Sequence, residues 1–275
     1  MSNGFCLLAQ NNSTTDYVRQ AYALALSIHK FNKGQLVSLI TNDPVPGEYK
    51  KVFDKIIEIP WGDSASENEW KIDNRWKVYH ITPYTNTIVM DVDMLVLHDI
   101  TCWWDKLEKK ELFFVSNVKN YRNDIVTSRY YRKTFDENTL PNLYSGCYYF
   151  KKSNYAHEFF NILELVMKNW KLFYGKYADN YHQKWCSFDV SCSIASKILD
   201  NSFEITDPNS IITFTHMKPH CQDWYEIPDK WTNVLGTYIT KDKTMLIGNF
   251  LQQNVLHYIE PEFLTDRVIK QLELL

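Results

Sequence analysis

The sequence predicts an α/β fold built on a doubly wound, mostly parallel sheet. Three observations predict it. Short β-type runs alternate with helical stretches through the first hundred residues, the runs are apolar on both sides of the pleat, and the fourth ends directly in a pair of carboxylates. Strands covered on both faces read as near-continuous apolar runs, and parallel neighbours need crossovers of the kind this alternation supplies.

Residues 5–9 read as the first strand. Tyr17–Phe31 reads as a helix, because Ala21, Leu24, Ala25 and Ile28 repeat at the spacing of one helix face and Asp16 stands where an N-cap belongs. Residues 36–41, 55–59 and 88–90 read as the second to fourth strands, with helical character at 46–53 and 74–81 between them. A sheet of this order binds its ligands beyond the carboxyl ends of its strands. After Asp99 the pattern loosens. Residues 112–116, 147–150 and 211–214 suit strands, 154–173 a long helix capped at Ser153 or Asn154, 189–199 a further helix, and 262–274 a closing helix behind Pro261. There is no internal repeat and no low-complexity tract.

A chain of 275 residues suits one large α/β domain or a domain with an appended lobe. At 45% hydrophobic and 15% aromatic, it has material for a core and no tract poor enough in apolar residues to predict disorder. A net charge of −3 argues against a polycation that coats nucleic acid or an anionic membrane. The first residues, Met1-Ser2-Asn3-Gly4-Phe5, lack the basic and long apolar regions of a signal peptide, so a cytoplasmic protein is expected, in the host cytoplasm if its source is viral. No run of about 18 apolar residues predicts a membrane span. Cys6, Cys102, Cys147, Cys186, Cys192 and Cys221 form no C-x-x-C pair, which predicts reduced, mostly buried thiols rather than a zinc knuckle or disulfide framework.

The strand Thr87-Ile88-Val89-Met90 delivers Asp91-Val92-Asp93 at the ligand-binding edge of the predicted sheet. Two carboxylates between strand-type hydrophobics are costly unless a cation accompanies them. Mg²⁺ or Mn²⁺ favours carboxylate and phosphate oxygens, and such an ion on a nucleotide diphosphate neutralises the charge that builds as a sugar C1–O bond breaks.

With these residues in view, the chain resembles the GT-A type nucleotide-sugar transferases, most of all the family 8 glycosyltransferases, which include glycogenin and bacterial galactosyltransferases. Phe5-Cys6-Leu7-Leu8-Ala9-Gln10-Asn11-Asn12, followed by Tyr17 and Ala21, is similar to the family's opening strand, polar loop and helix with a nucleoside-contacting Tyr. Asp91-Val92-Asp93-Met94-Leu95-Val96-Leu97-His98-Asp99-Ile100 resembles its D-x-D-x-h-V-h-x-x-I run, and Arg75 falls where the family places a basic residue that reaches the donor. Tyr144-Ser145-Gly146-Cys147 resembles the N-S-G-h turn beside the donor sugar, with Tyr144 in place of Asn. Asp189 stands for the family's D-Q aspartate, without the Gln. For the His that completes the metal site there are two contenders: His257, the first choice, in Val255-Leu256-His257-Tyr258, and His216 in Phe214-Thr215-His216-Met217-Lys218-Pro219.

The resemblance implies a metal-dependent glycosyltransferase that retains anomeric configuration and uses a nucleotide-diphosphate sugar, a UDP-sugar first. It implies a nucleotide-sugar-binding half over 1–105 and an acceptor-binding, metal-completing half over 106–275, within one GT-A domain. Asp91, Asp93 and His257 would hold Mn²⁺ or Mg²⁺. Ala9, Gln10, Asn11, Tyr17, Arg75, Val92, Ser145, Gly146 and Lys218 would contact the donor. Asp189 and Arg75 would be catalytic, Asp189 by positioning the sugar or, if transfer inverts, as general base.

Between Lys106 and Lys184 there are 14 Lys and Arg against 8 Asp and Glu, interleaved with aromatics around Arg129-Tyr130-Tyr131-Arg132-Lys133. Cations that hold phosphates beside rings that stack on bases suit a nucleic-acid acceptor. Arg129, Arg132 and Lys133 are then acceptor contacts, and the enzyme a DNA-modifying glycosyltransferase of the kind viruses of bacteria use on hydroxylated bases. Aromatic platforms suit a glycan or lipid-linked glycan equally. Two other classes compete. A sugar nucleotidyltransferase would carry a Gly-rich basic loop after the first strand, where this chain has Gln10-Asn11-Asn12-Ser13-Thr14. A non-catalytic carbohydrate-binding module would have no need of Asp91, Asp93 and a distant His together.

Overall fold

Apolar runs with no polar face are satisfied only inside a sheet covered on both sides. The structure, a computed structural model, describes residues 2–66, 68–69, 71–127, 130, 132–179, 184–209 and 212–273. Seven strands come first along the chain: β1 (Asn3–Leu8), β2 (Leu36–Ile40), β3 (Lys55–Ile57), β4 (Asn86–Met90), β5 (Met94–Leu95), β6 (Leu112–Val115) and β7 (Tyr144–Lys151). All but β5 form one sheet in the order β3-β2-β1-β4-β7-β6. Pairs β1–β2, β1–β4 and β2–β3 are parallel, while β7 runs antiparallel to both β4 and β6. The expected mostly parallel sheet is therefore present, with β7 as its antiparallel member, and it draws strands from both sides of residue 105.

Alternate residues of each strand serve opposite faces. Phe5, Leu7, Ile88 and Met90 pack under Ala21, Leu24, Ala25 and Ile28 of the Tyr17–Phe31 helix. Cys6, Val89, Tyr148 and Phe150 pack under Phe159, Phe160 and Leu163 of the Asn154–Lys168 helix and Cys192 of the Phe188–Leu199 helix. Asp16 caps the first of these helices by accepting from Arg19 N at 2.9 Å, Ser153 the second from Ala156 N at 3.2 Å, and Ser187 the third from Val190 N at 3.4 Å.

Several elements differ from expectation. The long helix expected over 154–173 breaks at Asn169, whose φ of −123° and ψ of 33° leave the helical region, and a second helix, Trp170–Tyr177, follows. Leu165 O accepts there from both Asn169 N, at 3.2 Å, and Asn169 Nδ2, at 3.0 Å, a local side-chain bond of the kind that favours a helix end. The helical stretch expected at 46–53 is a single 3₁₀ turn, Tyr49–Val52, and that at 74–81 is a 3₁₀ turn, Arg75–Lys77, running into Val78–Ile81. Strand β7 starts at Tyr144, so Ser145 and Gly146 lie in a sheet strand and not in a turn. Pairing with β4 accounts for this: Asp91 N donates to Gly146 O at 2.8 Å, extending the ladder past Met90. The closing helix is Asp266–Glu273, preceded by a 3₁₀ turn at Pro261–Phe263.

Five more short strands follow: β8 (Phe214–His216), β9 (Thr237–Ile239), β10 (Met245–Ile247), β11 (Phe250–Gln252) and β12 (Val255–His257). Of the strand expected at 211–214, Ile211 lies outside the described residues, and the strand itself runs later. β9, β10 and β11 make an antiparallel three-stranded sheet. β12 is the middle strand of another, antiparallel to β5 and parallel to β8, with His257 opposite Met94 on one side and His216 on the other. Among the described residues no helix is long and apolar enough to cross a membrane.

Candidate active site

Strand β4 is buried throughout, and Asp91 is the first residue beyond it. There the carboxylate meets Arg75, whose Nη1 lies 2.9 Å from Asp91 Oδ1. The Arg75 guanidinium carbon stands 5.6 Å from the centre of the Phe188 ring, which holds its plane from behind. Asp93 turns to the same side and meets His257, with Nε2 3.0 Å from Asp93 Oδ1 and 4.0 Å from Asp91 Oδ2. This meeting follows from strand pairing: β12 lies against β5, and Tyr258 N donates to Asp93 O at 3.0 Å.

One ligand atom each from Asp91, Asp93 and His257 lie within 4.8 Å of one another. Two carboxylates and an imidazole that converge in this way could hold a metal ion. The three groups share charge. Burial raises the Asp91 carboxyl above its ordinary range against the pull of Arg75. Burial also disfavours charge on Asp93, but His257 and Arg75 outweigh it and leave that carboxyl low. Burial opposes the imidazolium of His257, yet Asp93 raises it above the usual histidine value. His216 stands one strand farther off, its ring centre 4.9 Å from that of His257. Burial, then the nearness of His257, pushes its proton affinity well down, so it packs behind the cluster as a neutral ring.

Beside the carboxylates, Gly146 occupies a position that only a hydrogen fits easily. A Cβ there would stand 3.0 Å from Met94 Cε and 3.3 Å from both Asp91 Oδ2 and His257 Cε1. Asp189 enters from the first turn of the Phe188–Leu199 helix, where the helix dipole favours a negative charge. Its Oδ1 accepts from Ser145 N at 2.9 Å and from Ser145 Oγ, and its Oδ2 from Arg132 Nη1 at 2.6 Å. Burial works against the charged form, but Arg132 and Ser145 outweigh it and hold the carboxyl below its usual range.

Two adjoining cavities follow from this layout. One of about 160 Å³ is lined by Leu8, Gln10, Tyr17, Lys71, Val92 and Asp93, together with Ile72, Arg75 and Asp91. The other, of about 180 Å³, is lined by Ser145, Gly146, Asp189, His216, Lys218 and His257, and shares Ile72, Arg75 and Asp91. Arg75 and Asp91 thus stand at the junction of both. Burial lowers the Lys218 ammonium below its ordinary value, with Asp189 pulling the other way.

Most of the residues picked from sequence meet here. Ala9 and Asn11 instead hold the loop: Ala9 N donates to Ile40 O at 3.0 Å, while Asn11 accepts from Val18 N at 3.0 Å and donates its own N–H to Asp43 at 2.7 Å. Lys71, Ile72 and Phe188 line the site without having been singled out; their nearness in sequence to Arg75 and Asp189 was the available signal. Of the trio expected to meet an acceptor, two lie among the described residues. Lys133 is exposed and pairs with Glu137 at 3.2 Å, and Arg129 lies outside the described residues. Arg132 is only 5% exposed, a correction with a plain cause. Its guanidinium lies 3.7 Å from the centre of the Phe135 ring and 4.1 Å from that of Tyr144, and it donates to Asn142, Leu143 O and Asp189.

No family model matches the chain, and no curated protein does. Solved structures do. The galactosyltransferase LgtC, in complex with donor and acceptor sugar analogues, aligns over 99% of this chain and 96% of its own at 12% identity and a TM-score of 0.55. An active-site mutant of LgtC aligns over 98% and 94% at 11% identity and a TM-score of 0.54. The glycosyltransferase GlyE of Streptococcus pneumoniae TIGR4 aligns over 75% of this chain at 13% identity and a TM-score of 0.46, and the chain spans 45% of its length. At these identities the likeness to LgtC establishes the fold, a GT-A type α/β architecture with a mostly parallel central sheet.

Proposed function

We propose that this protein is a metal-dependent glycosyltransferase that moves a sugar from a nucleotide diphosphate to a hydroxyl acceptor. The observation that carries the reading is the convergence of Asp91, Asp93 and His257 at the carboxyl edge of the sheet, between two cavities that share Arg75. LgtC, with the same fold, is a galactosyltransferase crystallised with sugar analogues, which supports a nucleotide-sugar donor here, a UDP-sugar first.

Held by the two carboxylates and His257, Mn²⁺ or Mg²⁺ would supply the charge that offsets a departing diphosphate. Gln10 and Tyr17 line the side that suits the nucleoside, and Ser145, Gly146 and Asp189 the side that suits the sugar. Arg75, at the junction, adds a fixed cation where negative charge develops, and Lys218 adds another on the sugar side. Both oxygens of Asp189 are already engaged by Ser145 and Arg132, and its carboxyl is held low. Such a group orients a sugar and stabilises positive charge at its C1; it is poorly placed to take a proton from an acceptor. That supports retention over inversion.

For the acceptor we favour a glycan hydroxyl over a hydroxylated DNA base, because Arg132 is committed to Asp189 rather than to a surface. The test is a panel of nucleotide sugars with Mn²⁺ or Mg²⁺, scored by nucleoside diphosphate release, with transfer read by mass spectrometry on glycans and on hydroxymethylated DNA. We expect metal-dependent release that Asp93→Asn removes, together with the thermal stabilisation by metal and nucleoside diphosphate. Turnover like that of the unmutated protein in Asp93→Asn would refute the site. Transfer to DNA alone would reverse the acceptor choice.

A further inference from the structure

We propose that Ile259 is a specificity-determining residue that confines the donor to sugars without an N-acetyl arm. The inference rests on the function proposed above, and it starts from the backbone. Ile259 has a φ of 64°, in a region where a β-branched residue is a genuine outlier and glycine is the natural occupant. Glu260 N donates to Tyr258 O at 2.7 Å across it, which closes a γ-turn of the rare, strained hand. Among the described non-glycine residues with positive φ, Ile259 alone lines either donor cavity. Strain of this kind gathers at functional sites and persists where the surroundings over-determine it.

Both neighbours are held. Tyr258 is buried, its N–H bound to Asp93 O at 3.0 Å and its carbonyl accepting a second bond from Trp231 Nε1 at 2.7 Å. On the other side the buried carboxylate of Glu260 accepts from Trp231 N at 2.5 Å through Oε1, and from Thr232 N at 3.0 Å and Thr232 Oγ1 through Oε2. The turn is therefore clamped at both ends. Those clamps leave Ile259 on the wall of the sugar-side cavity, together with Ser145, Gly146 and Asp189.

Core packing does not account for the side chain. Ile259 belongs to none of the hydrophobic clusters formed by the described residues, so the isoleucine strains the turn without adding to the core. What it does is take up room. The cavity measures about 180 Å³, below the range of about 300–1,000 Å³ usual for small-molecule sites, which suits a single unsubstituted hexose. An N-acetyl group sets four heavy atoms where a hydroxyl sets one. The isoleucine side chain is itself four carbons, so its removal frees space of the size that arm needs.

The test uses the full chain with Mn²⁺ and four donors, UDP-galactose, UDP-glucose and their N-acetyl counterparts, and reads UDP release as kcat/KM. The unmutated protein should favour its better plain donor over the N-acetyl counterpart by about tenfold or more, the discrimination a steric wall supplies. Ile259→Gly and Ile259→Ala should each raise kcat/KM for that N-acetyl donor about tenfold and leave the plain donor within about threefold. Ile259→Val, which keeps a branched wall, should keep the preference. Ile259→Gly should also melt no lower than the unmutated protein, because glycine accepts the positive φ without strain. Equal use of plain and N-acetyl donors by the unmutated protein overturns the proposal, as does a preference that neither truncation moves. A lower Tm in Ile259→Gly with the preference unmoved assigns the residue to the fold and overturns it as well. If none of the four donors is turned over, the inference falls together with the UDP-sugar reading; turnover with an unmoved preference sinks the inference alone.

Discussion

Replacing Arg132 by Met keeps much of the side chain between Phe135 and Tyr144 and removes its charge. What remains is a carboxylate, Asp189, whose side chain is 22% exposed and whose Oδ2 has lost its guanidinium partner. Breaking one side of a buried pair costs about 3–5 kcal/mol, and the partial exposure of Asp189 argues for the lower end, about 3 kcal/mol. For a chain of this size that lowers Tm by about 6–12 °C. Asp189→Asn added to Arg132→Met should restore part of the loss, since no uncompensated charge is then buried. The pH dependence follows in sign. In the unmutated protein Asp189 is depressed, so its contribution is full above the unfolded carboxyl value of about 3.9 and is lost as pH falls through the folded value. Without Arg132 the largest of the contributions that lower it is gone, so the folded value stands higher in the variant than in the unmutated protein. The variant's carboxylate therefore protonates first as pH falls, which relieves the cost of its lost partner. The Tm gap between the two proteins should narrow from pH 7 toward pH 4, read by calorimetry across that range. A loss below about 1 kcal/mol, or a gap that widens on acidification, refutes the claim that Arg132 holds this carboxylate.

Two further predictions rest on close packing. Gly146→Ala forces a methyl against Asp91 and His257, so the metal concentration for half-maximal stabilisation should rise about tenfold or more while the fold persists; unchanged metal titration by thermal shift argues against a site there. Of the six cysteines only Cys102 is exposed, and burial pushes the thiols of Cys6, Cys147 and Cys221 up to about 12. Native protein should therefore react with one equivalent of a thiol reagent at neutral pH and with six after denaturation; a second rapid equivalent contradicts the packing.

The parts legible in sequence are those governed by short-range rules. Strands β1, β2 and β4 announced themselves because both faces are apolar, the Tyr17–Phe31 helix because its face and cap are local, and Asp91-Val92-Asp93 because it abuts a strand. His257 was preferred over His216 on motif alone, and the structure gives the reason: β12 pairs with β5, a contact between distant segments that no local pattern encodes. The same limit explains Arg132. A basic residue among aromatics reads as surface unless its partner is known, and that partner, Asp189, lies in a separate helix. The break at Asn169 was missed because apolar spacing continues past it, while the non-helical backbone of Asn169 ends the helix there.

The central place of β12 in its small sheet has a consequence for how the molecule comes into being. During synthesis Arg75, Asp91 and Asp93 emerge early. His257 is made far later, and its strand must insert between β5 and β8 before the imidazole that we propose as the third ligand arrives. Such non-local pairing is slow relative to helix formation. Tight divalent-ion binding would therefore mark chains whose folding is complete, and a misassembled or prematurely ended chain would betray itself by failing to hold the ion.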